Sequence, residues 1–195
     1  MSRSPHATAR VALPIVLVVL LAIAAVAVGV LVQSFAPTAR GEAIAPSTPA
    51  SESGGPISPF DDDDPAIANL RPELRTALQQ AAQAAAGAGF DLVVNSGWRT
   101  AEEQARLFEE AVVTYGSREK AARWVAPPET SSHVSGEAVD VGDLDASIWL
   151  GDNGRDFGLC RTYSNERWHF EFRAEAIGAD CPEPYLDASD DPRLR

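Results

Sequence analysis

The sequence predicts an α+β fold, a small antiparallel sheet flanked by helices and preceded by one transmembrane helix. Three observations carry this. Residues 11–32 are an unbroken apolar run. From about residue 70 apolar side chains recur at helical spacing, and after residue 136 short segments alternate apolar and polar. Helices first, then short strands mixed with loops, is the order of an α+β domain.

The run "VALPIVLVVLLAIAAVAVGVLV" holds 22 residues with no charge and no polar side chain. As a helix it spans about 33 Å, enough for a hydrocarbon core of roughly 30 Å. Arg3 and Arg10 lie in residues 1–10, so the positive-inside rule assigns that end to the cytoplasm. A cleaved signal peptide is the alternative. Its apolar region is usually shorter, ~7–15 residues, but "AIA" at 43–45 offers a small-residue cleavage site. The expectation is a single-pass protein of the cell membrane with an extracytoplasmic domain, or a secreted one if the segment is cleaved.

Residues 33–65 are rich in Pro, Ser, Ala and Gly and read as a disordered linker. The Asp61–Asp64 run reads as its solvated end, because it lacks the spaced oxygen ligands and the Gly of a calcium loop. Residues 66–195 then form one compact domain, long enough for a real core. The chain carries −12; its first 57 residues hold three Arg and two Glu, so the remainder carries −13. So acidic a domain is a poor nucleic-acid binder, since binding depends on basic groups that neutralise phosphates. Cys160 and Cys181 are the only cysteines. Outside the membrane they are most simply a disulfide, and they lack the close spacing of a metal site.

Within the domain, Pro72–Ala86 is a predicted helix. Pro72 suits its first turn, Leu70, Leu74, Ala77, Leu78, Ala81 and Ala85 share a face, and Gly87 and Gly89 end it. Leu92–Asn95 follows as a strand. Thr100 and Glu103 form a capping box for a helix from Ala101 to Thr114, with Ala105, Leu107, Phe108, Ala111 and Val112 as its apolar stripe. "SREKAARWVA" is a short helix, and Pro127–Pro128 enforces a loop. "EAVDVGD" is a short strand, and "DASIWLGDNGRDFG" one or two helical turns before a Gly turn. "RWHFEFR" alternates as a strand, and "PYLDASDDPRLR" reads as an extended tail. Trp149 and Trp168 are expected in the core.

Strand parity brings out a constellation. Val139 and Val141 share one face while Asp140 points the other way. Trp168, Phe170 and Phe172 share a face, and His169 and Glu171 point opposite. If the two strands are neighbours, Asp140 meets His169 on the polar face. His133 sits in the loop feeding the first strand, and Gly136 lets that loop turn sharply. Two imidazoles and one carboxylate suit zinc, and three protein ligands leave the open position of a catalytic site. Glu166 lies three residues before His169, placed to take a proton from an activated water. Taken singly, each residue has a plainer reading. Asp140 caps a turn, Glu166 pairs with Arg167, and Arg99 of "SGWRT" is a surface Arg stacked on Trp98 rather than an oxyanion stabiliser. Ser131 and Ser132 are ordinary loop serines unless they meet substrate. No Gly-x-Ser-x-Gly elbow supports a serine triad.

"SGWRTAEEQARLF", "SSHVSGEAVDVG" and "NERWHFEF", in that order, resemble the zinc D-alanyl-D-alanine carboxypeptidases of the VanY-like family. That pattern, Ser-x-His-x-x-Gly-x-Ala-x-Asp and later Glu-x-x-His, is met by Ser131, His133, Gly136, Ala138 and Asp140, then by Glu166 and His169. The likeness covers roughly residues 68–175, and the two-part motif is highly specific. The stretch holding Cys160 and Cys181 also resembles exported actinobacterial-type members, where two cysteines recur. The resemblance implies a Hedgehog/D-Ala-D-Ala-peptidase-like fold and a Zn2+ site of His133, Asp140 and His169. It implies Glu166 as general base and then acid, Arg99 as transition-state stabiliser, and Ser131 and Gln104 as substrate contacts. The implied reaction removes the terminal D-Ala from a peptidoglycan stem peptide, with the membrane segment and linker holding the domain near the wall. One departure is Arg167, where members often have Pro between the Glu and the Trp. A peptidoglycan endopeptidase or dipeptidase of the same zinc class, or a catalytically silent wall-binding module, are the alternatives; the intact Glu166 speaks against the last.

Overall fold

The computed structural model describes residues 55–194. The predicted membrane span, residues 11–32, lies outside them. Among the described residues no helix is long and apolar enough to cross a membrane. The helices are α1 (Pro65–Ala68), α2 (Pro72–Gly87), α3 (Ala101–Tyr115), α4 (Arg118–Ala121) and α5 (Leu144–Asn153). The strands are β1 (Val94–Ser96), β2 (Ala138–Val141), β3 (Leu159–Arg161) and β4 (His169–Phe172). They form one antiparallel sheet in the order β1-β2-β4-β3.

One face of the sheet is covered by α2. Leu74, Leu78, Ala81 and Ala85 pack with Val94, Val139, Val141, Leu159 and Phe170 in a single buried cluster. The predicted apolar face of α2 is therefore the core face, and Val139, Val141 and Phe170 turn towards it as parity requires. Each fully buried Leu, Val or Phe side chain contributes about 1.5–3 kcal/mol. A smaller cluster joins Phe108 and Ala111 of α3 to Ala121 of α4. The Thr100 cap forms, its Oγ accepting from the Glu103 N–H at 3.1 Å, and Gly116 closes α3 in the left-handed region at φ 81°.

Four expectations are corrected. The end of the presumed linker is ordered: Ile57 is buried and exchanges two 2.8 Å hydrogen bonds with Val94, and Asp64 caps α1 through the Ala66 N–H. A single apolar residue amid Ser, Gly and Pro leaves no periodic signal, but it suffices to dock the chain on a strand edge. The helix α5 runs ten residues rather than one or two turns, because Asp143 caps it and Ala146, Ser147 and Leu150 are buried. Strand β3 was not anticipated; three residues are too short to show alternation, and it forms because β4 offers a free edge. The C-terminal segment is not an extended tail. It makes turns at Ala188–Asp190 and Pro192–Leu194, and Asp187 and Asp191 are buried against arginines.

The Cys160–Cys181 disulfide is formed, closing a sequence separation of 21 residues. A loop of that size stabilises by about 3 kcal/mol in the chain-entropy account. The loop before β2 is pinned at Gly136, whose carbonyl accepts from the Arg71 N–H at 2.8 Å. Gly136 has φ +74°, and a Cβ there would lie 2.6 Å from the Asn69 carbonyl oxygen. Gly136→Ala should therefore cost more than ~1 kcal/mol in urea unfolding, since it adds backbone strain to a collision with main chain. A smaller loss would show that the loop is not held as described.

Candidate metal centre

Three elements bring His133, Asp140 and His169 together. Strand β2 pairs with β4 so that Asp140 lies opposite His169. His133 arrives on the loop before β2, and three bonds from residues 97–99 fix that loop. The Nδ1 of His133 lies 2.8 Å from the Gly97 carbonyl, the Trp98 indole N–H donates to the Val134 carbonyl at 3.1 Å, and the Arg99 N–H to the His133 carbonyl at 3.4 Å. With Nδ1–H donating to Gly97, the lone pair of His133 is on Nε2, which faces Asp140 Oδ1 at 3.4 Å. The Nδ1 of His169 faces the same oxygen at 3.2 Å. All three residues are buried, and a ligand atom from each lies within 4.8 Å of the others. Ligands about 2.0–2.1 Å from a tetrahedral ion sit roughly 3.3 Å apart, so these separations fit one metal ion.

The electrostatics agree with that fit. Burial alone raises the Asp140 carboxyl, but the two imidazoles beside it win and hold it well below the usual range. Burial pushes His133 down, and the Arg99 cation adds to this, so its nitrogen is free to ligate. Burial would also lower His169, but bonds to Asp140 and Glu171 raise it to about 10. In the metal-free centre a proton on His169 Nδ1 thus does what a cation would do there.

Glu166 is buried, with Oε2 3.8 Å from His169 Nδ1. The turn between them is closed by the His169 N–H donating to the Glu166 carbonyl at 3.3 Å. Burial drives its carboxyl up to about 8, partly opposed by His169. Arg99 reaches in from the other side, its guanidinium 3.7 Å from Asp140 Oδ2. It is bonded to Ser96 Oγ and donates to Gln104 Oε1 at 3.0 Å.

One sequence expectation changes here. Gln104, expected to meet substrate, is 2 % exposed and has both ends of its amide engaged: it accepts from Arg99 and donates to the Ala126 carbonyl at 2.6 Å. It braces Arg99 against the loop after α4. Ser131 is buried, and its carbonyl accepts from the N–H groups of Val134 and Ser135, so it shapes the turn that carries His133. Arg167, at the departure from the family pattern, is exposed. Sequence reasoning missed Ser96 and Glu171 as partners of the site. Glu171 accepts from His169 Nε2 at 3.5 Å, and strand parity, which puts both on one face, already held that signal.

The family model described as "VanY: D-alanyl-D-alanine carboxypeptidase" matches residues 67–175. The chain belongs to this family. A curated D-alanyl-D-alanine carboxypeptidase of Enterococcus faecalis (strain ATCC 700802 / V583) is 32% identical over 120 residues, covering 49% of this chain and 45% of the relative. The chain thus spans about half the length of the curated relatives it matches. Among solved structures, the vancomycin-resistance D,D-pentapeptidase VanY, a mutant in complex with Zn(II), is 29% identical with TM-score 0.52, covering 57% of this chain and 75% of that one. VanYB in complex with D-alanine-D-alanine is 30% identical with TM-score 0.52, covering 56% and 75%. The LdcB LD-carboxypeptidase is 25% identical with TM-score 0.52, covering 60% and 66%. The VanY-family match takes in all three candidate ligands, Glu166 and Arg99, and stops short of the C-terminal segment.

Two tests follow from this geometry. Gln104→Leu strands a buried carbonyl and one Arg99 donor, and should cost about 1–3 kcal/mol in urea unfolding; a change below ~0.5 kcal/mol would return Gln104 to the open cleft. Glu166 gains its proton affinity on folding, so the metal-free domain binds the extra proton between the ordinary pKa of 4.5 and about 8. Its contribution is full below pH 4.5 and is lost as pH rises through about 8. Glu166→Gln should flatten that part of the stability–pH curve of the metal-free domain, and identical slopes in both proteins would refute the shift.

Proposed function

We propose that the chain is a zinc-dependent D,D-carboxypeptidase that removes the terminal D-alanine from peptidoglycan stem peptides. The observation that carries this is the convergence of two imidazoles and a carboxylate at metal-ligand separations, with Glu166 and Arg99 beside them. His133, Asp140 and His169 would hold the ion. Bound there, zinc supplies Lewis-acid polarisation of the scissile carbonyl and acidifies a water.

The remaining chemistry belongs to side chains. Glu166 takes the proton from the attacking water and returns it to the leaving amine, a double duty suited to a carboxyl with raised proton affinity. Arg99 is held by Ser96, Gln104 and Asp140, so its cation is already in place as charge develops on the carbonyl oxygen. Gln104 serves the aim of Arg99, and the backbone of Ser131 the fold of the His133 loop, its side chain remaining the candidate substrate contact.

In this reading residues 11–32 anchor the protein in the cell membrane and the domain works outside it. The Pro-, Ser- and Ala-rich stretch after the span would be the tether between them.

The similarity to an LD-carboxypeptidase at the same TM-score as to the D,D-enzymes favours testing a second substrate class. The domain, residues 55–195, would be incubated with zinc and a peptide ending Lys-D-Ala-D-Ala, or one ending Lys-D-Ala, and products followed by mass spectrometry. The expected outcome is loss of one D-alanine from the first peptide, abolished by chelation and reduced at least ~10²-fold in Glu166→Ala. Cleavage of the second peptide alone would make it an L,D-enzyme. Release of the D-Ala-D-Ala dipeptide would make it a dipeptidase. No cleavage of either peptide, or of cross-linked wall, would leave a binding module.

A further inference from the structure

The C-terminal segment lies beyond the family match, yet it reaches the back of the metal centre. Its polypeptide is tied down at three points. Tyr185 bridges to the strand continuation after β3, its N–H donating to the Thr162 carbonyl at 3.0 Å and its carbonyl accepting from Ser164 at 2.8 Å. Asp187 is buried and accepts from the Arg123 guanidinium at 2.6 Å. Asp191 is fully buried; it accepts from the Tyr163 hydroxyl at 3.2 Å and from Arg193 Nε at 2.9 Å. Tyr163 in turn lies against the His169 ring, with centroids 5.0 Å apart.

This arrangement presents Arg193 to Glu171. The guanidinium donates to Glu171 Oε2 at 2.7 Å and lies 3.4 Å from Oε1. Glu171 Oε1 is the atom that faces His169 Nε2, while Arg173 donates to Oε2 at 2.8 Å. Glu171 is buried in the sheet, and a buried carboxylate needs a fixed set of donors. Arg193 supplies two of them from a segment remote in sequence. An imidazole whose far nitrogen donates to a carboxylate has its tautomer and its ring orientation fixed.

We propose that Arg193 is a positioning residue for the metal centre: through Glu171 it holds the Nε2–H of His169 and so aims Nδ1 at the ion. The proposal rests on the metal-site reading above. It gives the C-terminal segment a task in assembling the site, in a part of the chain that the family pattern does not include.

The test is a double-mutant cycle on zinc affinity. The wild-type domain, Arg193→Met, Glu171→Leu and the double variant are each titrated against a chromophoric zinc chelator, and the melting of each metal-free protein is recorded separately. Arg193→Met should weaken zinc binding by about 10-fold or more, in the range of changes behind a metal-ligating histidine. In the Glu171→Leu background the same change should add almost nothing, because no acceptor is left to link Arg193 to His169. Arg193→Lys keeps the charge but not the two-pronged geometry, and should fall between the two. Wild-type affinity in both Arg193 variants, or losses that add in full, would overturn the proposal whatever happens to the melting temperature. A wild-type domain that binds no zinc would overturn the metal reading itself, and this proposal with it.

Discussion

Asp140 Oδ1 lies 3.4 Å from one imidazole nitrogen and 3.2 Å from another, inside a domain where all three groups are nearly sealed from water. A carboxylate removed from solvent is costly unless its charge is answered, and here the answer comes from two histidines, one on the preceding loop and one on the neighbouring strand. Much of the surrounding architecture serves that meeting. The β2–β4 register delivers Asp140 to His169, and the Gly97 carbonyl and Gly136 turn deliver His133. Misplacing any one of these would leave a buried charge without its partner, so the fold and the site constrain each other.

The centre is also graded in proton affinity. Asp140 stays ionised, His133 stays neutral, and Glu166 is pushed up to about 8. These differences have separate causes. Two imidazoles beside Asp140 hold its carboxyl down, whereas Glu166 is raised mainly by its own burial. Carboxyls a few ångströms apart are thus pushed in opposite directions, Asp140 down and Glu166 up, by their different surroundings.

The parts legible in the sequence were those governed by local periodicity. The apolar face of α2, the Thr100 cap and the opposed faces of Asp140 and Val139 follow from spacing alone, and all lie where spacing puts them. The meeting of Asp140 and His169 required one assumption, that their strands are neighbours, and the sheet order supplies it. What was not legible depended on distant partners. Gln104 reads as a polar residue on an amphipathic helix, and only the approach of Ala126 and Arg99 explains its burial. The C-terminal segment reads as an extended tail, yet two of its aspartates are internal, each met by an arginine. Charge pairs between segments leave no period to detect.

The short β-bridge at Ile57 has a consequence for the protein's company. The outer edge of a small sheet is a row of unpaired backbone groups onto which another chain can add. Ile57 occupies the Val94 position on the β1 side, while on the β3 side the Cys160–Cys181 link keeps the following loop beside the strand. The β1 margin is thus met by the molecule's own backbone, and the β3 margin is flanked by the segment that the disulfide ties to it. Such cover narrows the route to edge-to-edge pairing with a second copy of the domain.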